Sequence, residues 1–205
     1  FTPPAGQSLE FTLTSGMGFP TLGSGVDRRR ITEARLIQDG DTQALVPVGG
    51  SAGALELSAI PYGGVACAWV NLQPRVLEIE ADEDVEHYLE EIGAPERVWS
   101  AWRESKDTAA WRESYAKLAR TYLVGSGEAS AKPCWDEPTG TRFDILPMAD
   151  PTALAPGDSL RVQVLFDGEP LAGQAIGFVR EGEDPQPLQR SDNEGRATIT
   201  IDGNG

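Results

Sequence analysis

Residues 8–14 alternate Leu9, Phe11 and Leu13 with Ser8, Glu10, Thr12 and Thr14. A period of two puts one face of a strand against a core and leaves the other in water. The same reading predicts strands at 31–38, 42–48, 54–60 and 64–72, separated by Asp39-Gly40, Gly49-Gly50 and Pro61-Tyr62-Gly63-Gly64. After Asp82 the period lengthens. Val85, Tyr88, Leu89 and Ile92 recur every three or four residues, as on a helix that Asp82 caps and Gly93 ends. Pro95 suits the start of a second helix carrying Val98, Ala101 and Trp102, and a third helix places Trp111, Tyr115 and Leu118 on one face. Residues 118–124 read either as more helix or as a return to the sheet, and the strand is preferred. The last third, with strand patterns at 159–166, 174–180 and 196–201, is punctuated by Pro156-Gly157-Asp158, Asp167-Gly168-Glu169-Pro170 and Asp192-Asn193-Glu194-Gly195. The prediction is a mainly β chain: a β-sandwich over 1–140 with a helical insertion over about 82–117, then a small sandwich over 141–205. The boundary falls in the Pro-rich, strand-poor segment 133–151.

Charge narrows the partners. Seventeen basic against 32 acidic residues give a net charge of -15, which disfavours nucleic acid and anionic membrane surfaces because both would be repelled. A cationic partner or a metal ion is admitted, beside the plainer reading that acidity keeps the protein dissolved. No stretch approaches the ~20 apolar residues of a membrane-spanning helix, so no transmembrane segment is expected. The chain opens at Phe1 without Met or a signal-peptide pattern, as a processed product would. Its two cysteines, Cys67 and Cys134, either form one disulfide in an oxidising compartment or leave Cys67 as a small buried side chain between Ala66 and Ala68.

His87 is the only histidine, so one chain cannot assemble a histidine cluster or a Ser-His-Asp relay. Its position fits the polar side of the first helix. As a metal ligand it would draw on Glu83, Glu90 and Glu91, the acids at helical spacing from it. The surrounding acids lack the Asp-x-Asp-x-Asp-Gly spacing of a calcium loop and read first as a solvated face. Asp192-Asn193-Glu194-Gly195 has the look of a cation loop but reads better as a tight turn. Trp99 lies off the main stripe of its helix, and an exposed Trp would offer a carbohydrate or protein contact, but burial against the sandwich is the preferred reading. Arg28-Arg29-Arg30 reads as a junction paired with carboxylates. With no phosphate loop, nucleophile elbow or HExxH, the sequence gives no support for an enzyme.

Gly168-Glu169-Pro170-Leu171-Ala172-Gly173 and Ser191-Asp192-Asn193-Glu194-Gly195-Arg196-Ala197 resemble the transthyretin-like and carboxypeptidase-regulatory-like modules of envelope proteins, which are Ig-like sandwiches. In those modules a further strand after the Asp-Gly turn completes the sheet; here the chain reaches only Asp202-Gly203-Asn204-Gly205, so the module is expected to lack its last strand unless it comes from elsewhere. The segments Phe1-Thr2-Pro3-Pro4-Ala5-Gly6-Gln7, Val76-Leu77-Glu78-Ile79, Glu86-His87-Tyr88-Leu89-Glu90-Glu91-Ile92-Gly93, Tyr115-Ala116-Lys117 and Leu146-Pro147-Met148-Ala149-Asp150-Pro151 resemble a family of bacterial periplasmic proteins associated with nickel uptake. The family is regarded as a substrate-specific component beside energy-coupling cobalt and nickel importers. The resemblance implies a periplasmic or extracellular binding protein, nickel or another divalent metal as cargo, and a membrane importer or another envelope protein as partner. Some members carry a histidine in the loop that here reads Ser15-Gly16-Met17-Gly18-Phe19-Pro20. The alternative from a different class is a structural or adhesive module working through protein or carbohydrate contacts.

Overall fold

Hydrophobic alternation becomes paired strands at once in the first half of the computed structural model, which describes residues 6–16, 18, 20–126, 131–182 and 187–201. The elements there are β1 (Leu9–Ser15), β2 (Ser24–Gly25), β3 (Ile31–Gln38), β4 (Asp41–Ala44), β5 (Val46–Gly50), β6 (Leu55–Ala59) and β7 (Gly64–Leu72). They are followed by β8 (Arg75–Ile79), α1 (Asp82–Glu91), α2 (Glu96–Ser105), β9 (Trp111–Tyr115) and β10 (Leu118–Gly125). Two four-stranded antiparallel sheets result, in the orders β2-β1-β6-β5 and β10-β7-β3-β4. Leu55 and Leu57 of one sheet meet Leu36, Ala66, Ala68 and Val70 of the other in a single buried cluster. Burying a side chain such as Leu57 contributes roughly 1.5–3 kcal/mol.

The expected strand 42–48 is one strand that bends. Its first part pairs with β3 and its second with β6, and Leu45 between them is buried and donates its N–H to the Ala34 carbonyl at 3.0 Å. The two sheets are therefore continuous along this side. Asp39 and Gly40, both at positive φ (52° and 86°), make the two-residue turn between β3 and β4. The strand twist favours such a turn, and an Asp-Gly pair supplies it. Gln38 ends β3 inside the protein. Its amide nitrogen donates to the Tyr62, Gly63 and Gly64 carbonyls, and its oxygen accepts the Tyr62 N–H at 2.8 Å.

β7 and β10 run on as β8 and β9, which pair with each other and pack Ile79 and Trp111 against the two helices between them. Helices occupy only part of the insertion expected over 82–117. The expected third helix is strand β9, because Trp111, Glu113 and Tyr115 alternate inward with period two and the β8 backbone lies beside them. Asp82 is the first helical residue rather than the cap, and Ala81 holds the cap position without a side-chain hydrogen bond. Val85, Leu89, Ala94 and Trp102 form a second small core here, with the Trp102 and Trp111 rings edge to face at 6.3 Å.

The C-terminal unit contains β11 (Phe143–Pro147), β12 (Ser159–Phe166), β13 (Glu169–Pro170), β14 (Ala175–Ile176), β15 (Gln189–Arg190) and β16 (Arg196–Thr200). β12 is its centre, pairing with β11 along one edge and with β13 and β16 along the other. β11 lies within the segment expected to be strand-poor. Of the strand expected at 174–180 only Ala175–Ile176 pairs, with β15. A β-prone run becomes a strand only where another backbone is within reach. Residues 202–205, where the module is expected to stop short of its last strand, lie outside the described residues.

Candidate functional site

The outer face of β7 carries Cys67, Trp69 and Asn71, all buried, with Asn71 donating to the Glu33 carboxylate at 2.9 Å. Cys67 is joined there to Cys134, with their Cα atoms 6.0 Å apart. Beside the disulfide, Arg120 of β10 sits opposite Trp69 in the strand register. One guanidinium nitrogen, Nη2, donates to the carbonyls of Cys134, Trp135 and Glu137 at 2.8, 3.2 and 2.9 Å. The other, Nη1, lies 3.7 Å from the Asp144 carboxylate, and the two side chains are only 7% and 4% exposed. The guanidinium carbon is 5.8 Å from the Trp69 ring centre and 5.3 Å from that of Tyr122. Burial pushes the Tyr122 phenol up to about 12. Asp144 in turn accepts the N–H and hydroxyl of Thr139 at 2.6 and 2.9 Å. A buried guanidinium aimed at three main-chain carbonyls fixes the course of the link, since a displaced link would leave the charge without partners.

A second tie joins the C-terminal unit to the helices. Arg190 Nη2 donates to the Gly93 carbonyl at 3.0 Å and the Ala94 carbonyl at 3.5 Å, at the end of α1, where the helix dipole favours a cation. Gly93 has φ 59°, and a Cβ there would lie 2.6 Å from a Leu188 methyl and 2.8 Å from that of Ala175. The helix can dock this closely only because the residue is glycine. Sequence reasoning missed Arg120, Asp144 and Arg190. The single available signal was Arg120 sharing a strand face with Tyr122, which suggests a covered rather than a solvated face.

A groove opens between β1 and β10, and Trp69 and Arg120, beside the disulfide, are among its lining residues. One section, about 360 Å³, is lined by Phe11, Leu13, Leu57, Ala68, Val70 and Thr121 among others. A second, about 180 Å³, continues it past Val26, Leu72 and Leu118, and both are bordered by Leu13, Val70 and Ala119. At the far end Lys117 Nζ donates to Ser15 Oγ at 2.7 Å.

Glu83, His87, Glu90 and Glu91 all lie on α1 and are exposed, while Val85 and Leu89 of the same helix turn inward. Among the described residues, no group of three or more His, Cys, Asp or Glu side chains is placed to hold a metal ion. Glu113 instead serves the interior of the insertion. It accepts the Tyr88 hydroxyl and the Trp111 indole N–H, and burial first, then this hydrogen bond, raises the Tyr88 phenol. Trp99 is half-buried, packed against the small helical core rather than against the sandwich. Arg28–Arg30 is a 3₁₀ turn capped by Asp27, whose carboxyl the Arg29 side chain holds down at about 2. Asp192 accepts the N–H groups of Glu194 and Arg196, both at 2.8 Å, and these bonds, that from Arg196 foremost, lower its carboxyl below the usual range. Met17 and Phe19 of the loop with the expected histidine position lie outside the described residues, as do Phe1 to Ala5. No helix among the described residues is long and apolar enough to cross a membrane.

The model of one protein family, a domain of unknown function (DUF4198), matches residues 42–205. No curated protein and no solved structure matches the chain.

Proposed function

We propose that the chain, which belongs to this family of unknown function, is a non-catalytic binding protein of the periplasm or extracellular space that works by contact with another envelope protein. One observation carries the reading. The Cys67–Cys134 disulfide is buried at both ends and locks the link to the C-terminal unit against the N-terminal sheets. Disulfides persist in oxidising compartments, where a protein of this kind meets its partners. In this reading residues 1–140 are a β-sandwich with a helical insertion, and 141–205 an Ig-like or transthyretin-like module held in fixed orientation on it. Delivery of nickel or cobalt to a membrane importer, implied by the sequence resemblance, is the purpose we assign to the contact.

Thiol trapping tests the location. In cells producing the protein, a maleimide label is expected to reach Cys67 and Cys134 only after reduction. Both thiols free in the native compartment would overturn the reading. Calorimetric titration with nickel and cobalt tests the cargo: saturable binding that His87→Ala abolishes would assign the metal to α1, and heat unaffected by that change would remove α1 from the proposal.

A further inference from the structure

We infer that the groove between β1 and β10 is an open seam that takes up an extended strand from a partner, and that this strand carries basic residues. The inference rests on the reading that the protein works by protein contact. Because β4 and β5 are one bent strand shared by both sheets, the strands from β1 through β6, β5, β4, β3 and β7 to β10 form one curled sheet. Its two ends face each other across the groove. Ser15 lies near Lys117 and Leu13 near Ala119, so β1 and β10 run antiparallel across it. Yet among the described residues no main-chain hydrogen bond joins them. Among the described residues β2 pairs only with Thr14 and Ser15, and no strand pairs with that edge of β1 from Leu9 to Leu13.

The chemistry of the groove selects its occupant. Each rim is a strand edge offering N–H and C=O groups, while the floor is apolar, with Leu57, Ala68 and Val70 from the main core. A small apolar molecule would cover the floor but remove water from polar edges it cannot pair with, which is costly. An extended peptide satisfies both. It pairs with the edges and turns every second side chain into the groove. The intervening side chains face outward from a protein of net charge -15, with Glu10 on one rim, while the two basic residues of the lining are already engaged, Lys117 with Ser15 and Arg120 with the carbonyls of Cys134, Trp135 and Glu137. This charge favours lysine or arginine at those positions and disfavours a second copy of the chain.

The probe is a synthetic nonapeptide alternating lysine and valine, added to the full ¹⁵N-labelled chain. Expected are amide shifts concentrated at residues 10–13 and 119–121. Binding should be about tenfold weaker or more when glutamate replaces lysine, and lost when alternate peptide nitrogens are methylated so that they cannot donate. Ala119→Trp, at an exposed position, fills the groove without entering the core and should abolish binding while the remaining spectrum is preserved. Equal binding of the methylated peptide, shifts located elsewhere, concentration-dependent dimerisation through the seam, or no binding at millimolar peptide would each overturn the inference. Those results would leave the thiol-trapping test of the compartment unaffected, so the two failures are distinguishable.

Discussion

Ten buried apolar residues, from Val26 to Leu72, converge between the two N-terminal sheets. The C-terminal unit buries only Leu146, Val162, Val164 and Ala197 among its described Ala, Val, Leu and Ile side chains. It relies instead on the disulfide, on Arg120 with Asp144, and on Arg190 at the end of α1. Apolar burial is cohesive but non-directional, whereas buried charges and their hydrogen bonds act only in one geometry. The N-terminal sheets therefore rest mainly on apolar burial, and the C-terminal strands are held against them by discrete ties.

Arg120→Met tests that contrast most severely. Removing the guanidinium leaves Asp144 buried without its cation and is expected to cost about 3–5 kcal/mol. Hydrogen exchange should rise across 139–166 while β6 and β7 stay protected. Uniform loss of protection would show that the two regions are one cooperative unit. Gln38→Leu strikes the other side of the comparison, leaving the Tyr62 N–H and the loop carbonyls without partners at a cost of about 1–3 kcal/mol. The urea midpoint followed by tryptophan fluorescence should fall accordingly, since no tryptophan lies beyond Trp135.

Gly93→Ala should cost about 1–2 kcal/mol from the left-handed backbone alone. It should also move the Leu188 and Ala175 methyl resonances as the helix backs away from β14 and β15. Unmoved methyls would mean that the helix end is not a true tie. The smallest effect is alkaline. The Tyr122 phenol titrates near 12 in the folded protein against near 10 for a tyrosine in water, so the folded state holds its proton more firmly. That contribution is complete below pH 10 and is lost as pH rises toward 12. Tyr122→Phe should flatten this part of the fall in urea midpoint with pH, and an unchanged slope would place the phenol in water.

Alternation alone located β1, β3, β7 and β12 with their neighbours, and the three-and-four spacing located α1. Reading failed where partners, rather than residues, decide. Trp111, Tyr115 and Leu118 fit a helical face as well as a strand, and the β8 backbone resolved the choice. His87, Glu83, Glu90 and Glu91 fall on the exposed face of α1, as the spacing had them.

Period, turn glycines and charge are local chemistry, and they suffice for a mainly β chain, its first helix, the Asp39-Gly40 turn and an acidic composition. The bend at Leu45, the open seam, the burial of Arg120 and the pairing of Cys67 with Cys134 arise only once the chain is folded. Each of these depends on which distant backbone lies alongside, and contacts between residues far apart in the chain leave no periodic trace in it.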